Sequence, residues 1–123
     1  MKIFDSNLIV YSSLDKYGQL RPLITARDVF VSAITKIETL GYYQLDAEDK
    51  AYFEAFFEIA TIIPITDLVI DKATEIRQMK KMSVGDCIIA ATALLHDLEL
   101  HTNNTKDFTH ITGLTVVNPL HEQ

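Results

Sequence analysis

Short apolar runs alternate with longer segments of helical period along almost the whole chain, and this alternation limits the fold more than any other feature. Lys2 to Phe4 is an apolar run that stops at Asp5. It reads as a buried strand, because a strand covered on both faces shows a continuous apolar run instead of alternation. Ser6 to Ser12 fits a first short helix. Gly18 and Pro22 interrupt Lys16 to Arg27, which reads as loop with a weak helix. Val29 to Val31 is a second strand. From Thr35, the residues Ile37, Leu40, Gly41 and Leu45 recur at helical spacing until Asp46 and Ala47 break the pattern. A helix then runs from about Glu48 to Ala60, with Tyr52, Phe53, Phe56 and Phe57 as an aromatic stripe. The stripe reads as core or as a seam between copies.

Pro64 marks Ile62 to Ile65 as an edge strand. Asp67 to Lys81 is helical, capped by Thr66 or Asp67. Gly85 is expected to separate it from a helix over Asp86 to Asp97, whose apolar face is Ile88, Ile89, Ala91, Leu94, Leu95 and Leu98. Leu100 to Thr102 and Leu114 to Val117 are the last strands, and Pro119 marks the expected end of ordered structure. Strands alternating with helices imply an α/β fold: a three-layer α/β/α sandwich around a central parallel sheet. With 123 residues and no linker or repeat, residues 1–123 form a single domain.

Hydrophobic residues make up 48% of the chain, enough for a sizeable core, and charged residues 23%. The lone Cys87 excludes an intramolecular disulfide framework. The N-terminal apolar run is too short for a signal peptide. The most apolar segment, Cys87 to Leu95, is about half the length of a membrane span. A cytoplasmic protein with no membrane association is expected. The net charge of −6 excludes nucleic-acid binding through a broad basic surface. Any such binding must rest on local lysines and a bridging metal.

Ligands of open parallel sheets gather at the carboxyl ends of the strands. Asp5 directly follows the first strand, and Asp107 lies in the loop after the fourth. Glu38 is expected near the start of the helix after the second strand, and Asp86 opens the helix before the fourth. Four such carboxylates raise one another's pKa when packed together, and a divalent cation removes that penalty. Oxygen donors without a histidine or cysteine cluster favour Mg2+ (or Mn2+) over zinc. Each also has a plain structural reading. Thr35-Lys36-Ile37-Glu38 and Ser83-Val84-Gly85-Asp86 both match the capping box. Asp5 suits a turn after a strand, and Asp107 a cap on a short turn. Lys36, Lys80, Lys81 and Lys106 lie close in sequence to these carboxylates, either as solvated surface or as phosphate contacts.

Other chemistries find little support. Cys87 sits on an apolar helix and reads as a small core residue. His96, His101, His110 and His121 lack metal-ligand spacing. No glycine-rich phosphate loop and no serine nucleophile elbow is present.

The words around the four carboxylates are more specific than their spacing. Ile3-Phe4-Asp5-Ser6-Asn7-Leu8-Ile9-Val10-Tyr11 resembles the opening of PIN domains, an apolar strand followed by Asp-Thr/Ser-Asn. Val31-Ser32-Ala33-Ile34-Thr35-Lys36-Ile37-Glu38-Thr39-Leu40-Gly41-Tyr42 resembles the second PIN block, which carries a glutamate. Asp86-Cys87-Ile88-Ile89-Ala90-Ala91-Thr92-Ala93 is similar to the third, and Thr102-Asn103-Asn104-Thr105-Lys106-Asp107-Phe108 to the fourth, Thr-x-Asn-x-x-Asp-Phe. All four occur in order over almost the whole chain. The resemblance is to short VapC-type toxins of toxin–antitoxin pairs. It implies that Asp5, Glu38, Asp86 and Asp107 are catalytic and gather around magnesium or manganese. It implies that Ser6, Asn7, Thr102 and Asn104 support those ligands. It further implies an endoribonuclease acting on RNA, silenced by a cognate antitoxin and commonly a homodimer. The chain departs from the pattern at Ser6, where threonine is usual, at Asn103, where a basic residue is common, and at Gly85, where proline is frequent.

Two other functions compete. A signalling receiver module needs an acidic pair after the first strand, but Ser6 follows Asp5, and its only candidate phosphoacceptor, Asp67, reads better as a helix cap. A catalytically silent PIN scaffold would keep clustered carboxylates without a compensating metal.

Overall fold

The computed structural model describes residues 1–120. Five strands, β1 (Lys2–Phe4), β2 (Val29–Ser32), β3 (Thr61–Ile63), β4 (Glu99–His101) and β5 (Val116–Val117), form one sheet in the order β3-β2-β1-β4-β5. Every pairing is parallel. The helices are α1 (Ser6–Ser12), α2 (Leu20–Ile24), α3 (Ala33–Leu40), α4 (Ala47–Ile59), α5 (Asp67–Met79) and α6 (Val84–His96). The chain winds from β1 outward through β2 to β3, then crosses back to place β4 on the other side of β1. The strand order therefore reverses between β1 and β4, which makes their carboxyl ends the crevice where α/β sheets bind ligands. This order also differs from the 2-1-3-4-5 order of receiver modules.

Pleating sends alternate residues to opposite faces. Ile3 and Leu100 join a core with α5, α6 and Phe108. Phe4, Val29 and Val31 join a second core with α1, α2 and α4. This is the expected three-layer sandwich. Hydroxyl or carboxylate caps start every α-helix but α2: Asp5, Ser32, Asp46, Thr66 and Ser83 each accept a backbone N–H from the first turn that follows. Pro64 falls just past β3, an edge strand, where a missing N–H breaks no ladder.

Several boundaries and faces differ from the sequence reading. Gly85 does not separate α5 from α6. Ser83 caps α6, and Gly85 lies inside its first turn. Residues Cys87 to Ala93 of α6 are all buried, so this helix has no single apolar face, and Leu95 is exposed. Asp97 ends α6 in the left-handed conformation, with φ of 53°. The expectation that order ends at Pro119 concerns residues 121–123, which lie outside the described ones, as does His121.

The aromatic stripe belongs to the core of the chain itself. Phe53, Phe56 and Phe57 are buried in the second cluster, and the Tyr52 hydroxyl meets Ser12 Oγ at 2.8 Å. Only Tyr42 and Tyr43 remain exposed, Tyr43 at 88%. Of the two readings of the stripe, the burial of these three phenylalanines within one chain favours core over a seam between copies. Phe53→Ala should cost about 3–5 kcal/mol in denaturant unfolding, as truncation of a buried aromatic does. The oligomeric state in sedimentation should not change. Dissociation with little loss of subunit stability would place the stripe in an interface.

Candidate active site

Asp5 follows β1 at the point where the strand order reverses. Its backbone N–H continues the ladder to His101 O at 3.1 Å, which sets Asp5 beside Thr102. Asp5 as a whole is only 3% exposed. One oxygen caps α1 by accepting the Leu8 N–H at 3.0 Å. The other accepts the Thr102 hydroxyl, and Thr102 Oγ1 in turn accepts the Asn104 N–H at 3.0 Å. Thr102 thus holds the acid directly, and Asn104 contributes through its backbone. By sequence Asp5 suits a turn after the strand; it is instead the N-cap of α1, a role that uses only one of its two oxygens.

Glu38 is in the last turn of α3, not near its start. Its expected capping box with Thr35 does not form. Ser32 caps α3, because the strand passes straight into the helix there and leaves no residue between them. Thr35 is buried one turn along and bonds Ser6 Oγ at 2.9 Å. Ser6 donates to Glu38 Oε1 at 2.7 Å, tying α1 to α3 across the cleft. Asp86 is in the first turn of α6, where its N–H donates to Ser83 Oγ at 3.1 Å. Here the cap is real but it is Ser83 that serves, leaving the Asp86 side chain to face the other acids. Asp107 is exposed on a short 3-10 turn, Thr105–Asp107, after β4.

The electrostatics link all four. Burial pushes the Asp5 pKa up to about 6 against its Thr102 and Leu8 hydrogen bonds, and the charges of Asp86 and Glu38 push the same way. Burial also raises Asp86, the Ser83 side chain lowers it, and Glu38 and Asp107 raise it further. Asp86 is therefore the hub that faces each of the other three acids. Two clefts meet on it. One, of about 250 Å³, is lined by Asp5, Ser6, Asn7, Glu38, Ser83 and Asp86. The other, of about 560 Å³, is lined by Arg77, Lys80, Lys81 and Ser83, with Asp86 and Asp107. No three acidic, histidine or cysteine side chains among the described residues are drawn in tightly enough to grip one ion directly.

The basic candidates separate. Lys80 and Lys81 line the larger cleft. Lys106 is exposed beside Asp107, and Lys36 lines a different groove with Glu54 and Glu58. A model of the PIN domain matches residues 2–114. The chain belongs to the PIN-domain family. No curated protein matches this PIN domain, but solved structures do. It is similar to a chain of a toxin–antitoxin complex from Klebsiella pneumoniae, with 30% identity, TM-score 0.77, and 97% and 98% of the two chains covered. It is also similar to FitAcB from Neisseria gonorrhoeae, with 28% identity, TM-score 0.77, and 98% and 99% covered. It shares its fold with DNA-bound VapBC from Salmonella typhimurium, with TM-score 0.81, 19% identity, and 96% and 98% covered.

Sequence reading missed two residues that line the PIN-domain clefts, Ser83 and Arg77, and one buried residue, Thr35, that bonds the cleft residue Ser6. Ser83 and Thr35 were visible only as members of capping boxes. Arg77 was visible only as a cation three and four positions before Lys80 and Lys81, and the helix expected to run to Lys81 ends at Met79, so both lysines lie past it.

The crowding has a measurable consequence. Folded Asp5 binds its proton more tightly than unfolded Asp5, so stability present at low pH is lost as pH rises through the window from 3.8 to about 6. Asp5→Asn removes that loss while an asparagine still caps α1. In chelator at pH 7, Asp5→Asn should therefore unfold about 1–2 kcal/mol harder than the parent, and the two should converge near pH 4. A destabilised Asp5→Asn protein at pH 7 would contradict this electrostatic account.

Proposed function

We propose that this PIN domain is a metal-dependent endoribonuclease acting as the toxin of a toxin–antitoxin pair, with Asp5, Glu38, Asp86 and Asp107 as its catalytic carboxylates. The observation that carries the reading is the meeting of these four acids around Asp86 at the sheet's switch point. Membership of the PIN family and the likeness to a toxin–antitoxin complex support it.

The donor set suits Mg2+ or Mn2+. It consists of oxygens alone, and the carboxylates are spread over a cleft, as suits an ion that keeps several waters. Asp5 and Asp86 are the deepest of the four and would hold the ion, while Glu38 and Asp107 would complete the set directly or through water. When bound, the ion would supply Lewis acidity toward a phosphodiester and a more acidic water. The chain does the remainder. Thr102 and Leu8 fix the Asp5 carboxylate, and Ser6 fixes that of Glu38. One carboxylate accepts a proton from the attacking water as its oxygen bonds to phosphorus and the bond to a ribose oxygen breaks. Arg77, Lys80 and Lys81 would grip backbone phosphates beside the scissile one. A local cationic cleft of this kind reconciles RNA binding with a net charge of −6.

An antitoxin protein and a second copy of the chain are the expected partners. No helix among the described residues is long and apolar enough to cross a membrane. The cytoplasm, where RNA and an antitoxin would be met, is the proposed location.

Pure protein should cleave RNA in magnesium and not in excess chelator. Asp86→Asn should stay folded and lose at least about a hundredfold in rate. Lys80→Ala combined with Lys81→Ala should weaken RNA binding and reduce its salt dependence while leaving the fold intact. Undiminished cleavage by Asp86→Asn, or by the parent in chelator, would sink the mechanism. A parent that binds RNA and metal without cutting would favour a silent scaffold.

A further inference from the structure

Gly85 lies buried in the first turn of α6, directly before Asp86. A Cβ built on it would overlap Oε2 of Glu38 and stand 2.8 Å from its Cδ and 2.9 Å from its Oε1. These are the three nearest atoms, and all belong to one carboxylate. The same carboxylate accepts the Ser6 hydroxyl at 2.7 Å through Oε1. The Glu38 head group thus lies against both Ser6 on α1 and the bare Cα of Gly85 on α6.

We propose that Gly85 is a positioning residue: the side chain it lacks is the space that lets the Glu38 carboxylate lie inside the acidic cleft against α6. This rests on the reading of Glu38 as part of the catalytic set. The contrast with Gly41 defines the role. A Cβ on Gly41 would overlap the backbone carbonyl of Ile37, an obstacle that cannot move without disturbing α3. The obstacle at Gly85 is the far end of a flexible, exposed side chain. A methyl group there evicts a carboxylate, not a backbone. Gly85 has no left-handed φ, so alanine fits its conformation and favours the helix. Fold and site therefore respond in opposite directions, which an ordinary core glycine would not allow.

The test is Gly85→Ala, with Glu38→Ala and the double variant. In chelator, the melting temperature of Gly85→Ala should equal or exceed the parent's. Its crystal structure should show the Glu38 carboxylate released from Ser6. Mn2+ affinity and the cleavage rate should each fall about tenfold or more, as for loss of a group that orients a ligand. In the Glu38→Ala background, the same alanine should cost nothing further. A Glu38 carboxylate still bonded to Ser6 in Gly85→Ala would overturn the proposal, and so would an equal further loss in the double variant. If Glu38 is displaced but Glu38→Ala binds Mn2+ and cleaves like the parent, the positioning stands and the catalytic reading of Glu38 fails.

Discussion

A carboxylate buried at the centre of a sheet, with other carboxylates facing it, is unfavourable in its ionised form, and this condition at Asp5 organises the surrounding structure. Burial is the larger cause of the raised pKa, and the like charges of Asp86 and Glu38 add to it. The hydrogen bonds from Leu8 and Thr102 oppose the shift without cancelling it. Both partners are available because β1 lies beside β4 and runs directly into α1. The topology that places Asp5 at the switch point also brings α3 and α6 over it, carrying Glu38 and Asp86. A cation among these side chains would turn mutual repulsion into shared attraction, so a bound cation would stabilise the folded protein relative to its metal-free form.

The field around this site is divided. One cleft is acidic, formed by Asp5, Glu38 and Asp86. The adjoining one brings Arg77, Lys80 and Lys81 up to Asp86 and Asp107. Under the proposed function, a polyanion approaching from the basic side would be held by its phosphates while one of them is carried toward the acids. Close range matters here, because the chain's overall negative charge is screened over about 8 Å at physiological salt. Specific local cations can then outweigh the distant acids.

Much of the architecture was legible because local signals agreed with the tertiary outcome. The apolar run ending at Asp5, the break at Asp46 and the edge proline Pro64 each stand where the structure needs them. The errors occurred where one pattern serves two physical purposes. Thr35 and Glu38 have the spacing of a capping box, but β2 runs into α3 without a gap, so Ser32 takes the cap and frees both for Ser6. Gly85 has the look of a breaker between helices, yet it is needed for close approach within one, which depends on a side chain 47 positions earlier in the chain. The aromatic stripe could serve an interface or a core, and only the sheet and α1 packed against it decide for the core. The four acids proposed for the site stand out by the words around them, but their meeting on Asp86 depends on three crossovers that no local spacing records.

The central claim is that the cleft around Asp86 is a metal centre. Substoichiometric Mn2+ added to isotope-labelled protein tests it directly, because the paramagnetic ion broadens only nuclei near its binding site. The account predicts that resonances of Asp5, Ser83 to Asp86 and Asp107 vanish first, and that Asp86→Asn abolishes this selective loss. Broadening centred elsewhere, or unchanged in Asp86→Asn, would contradict it.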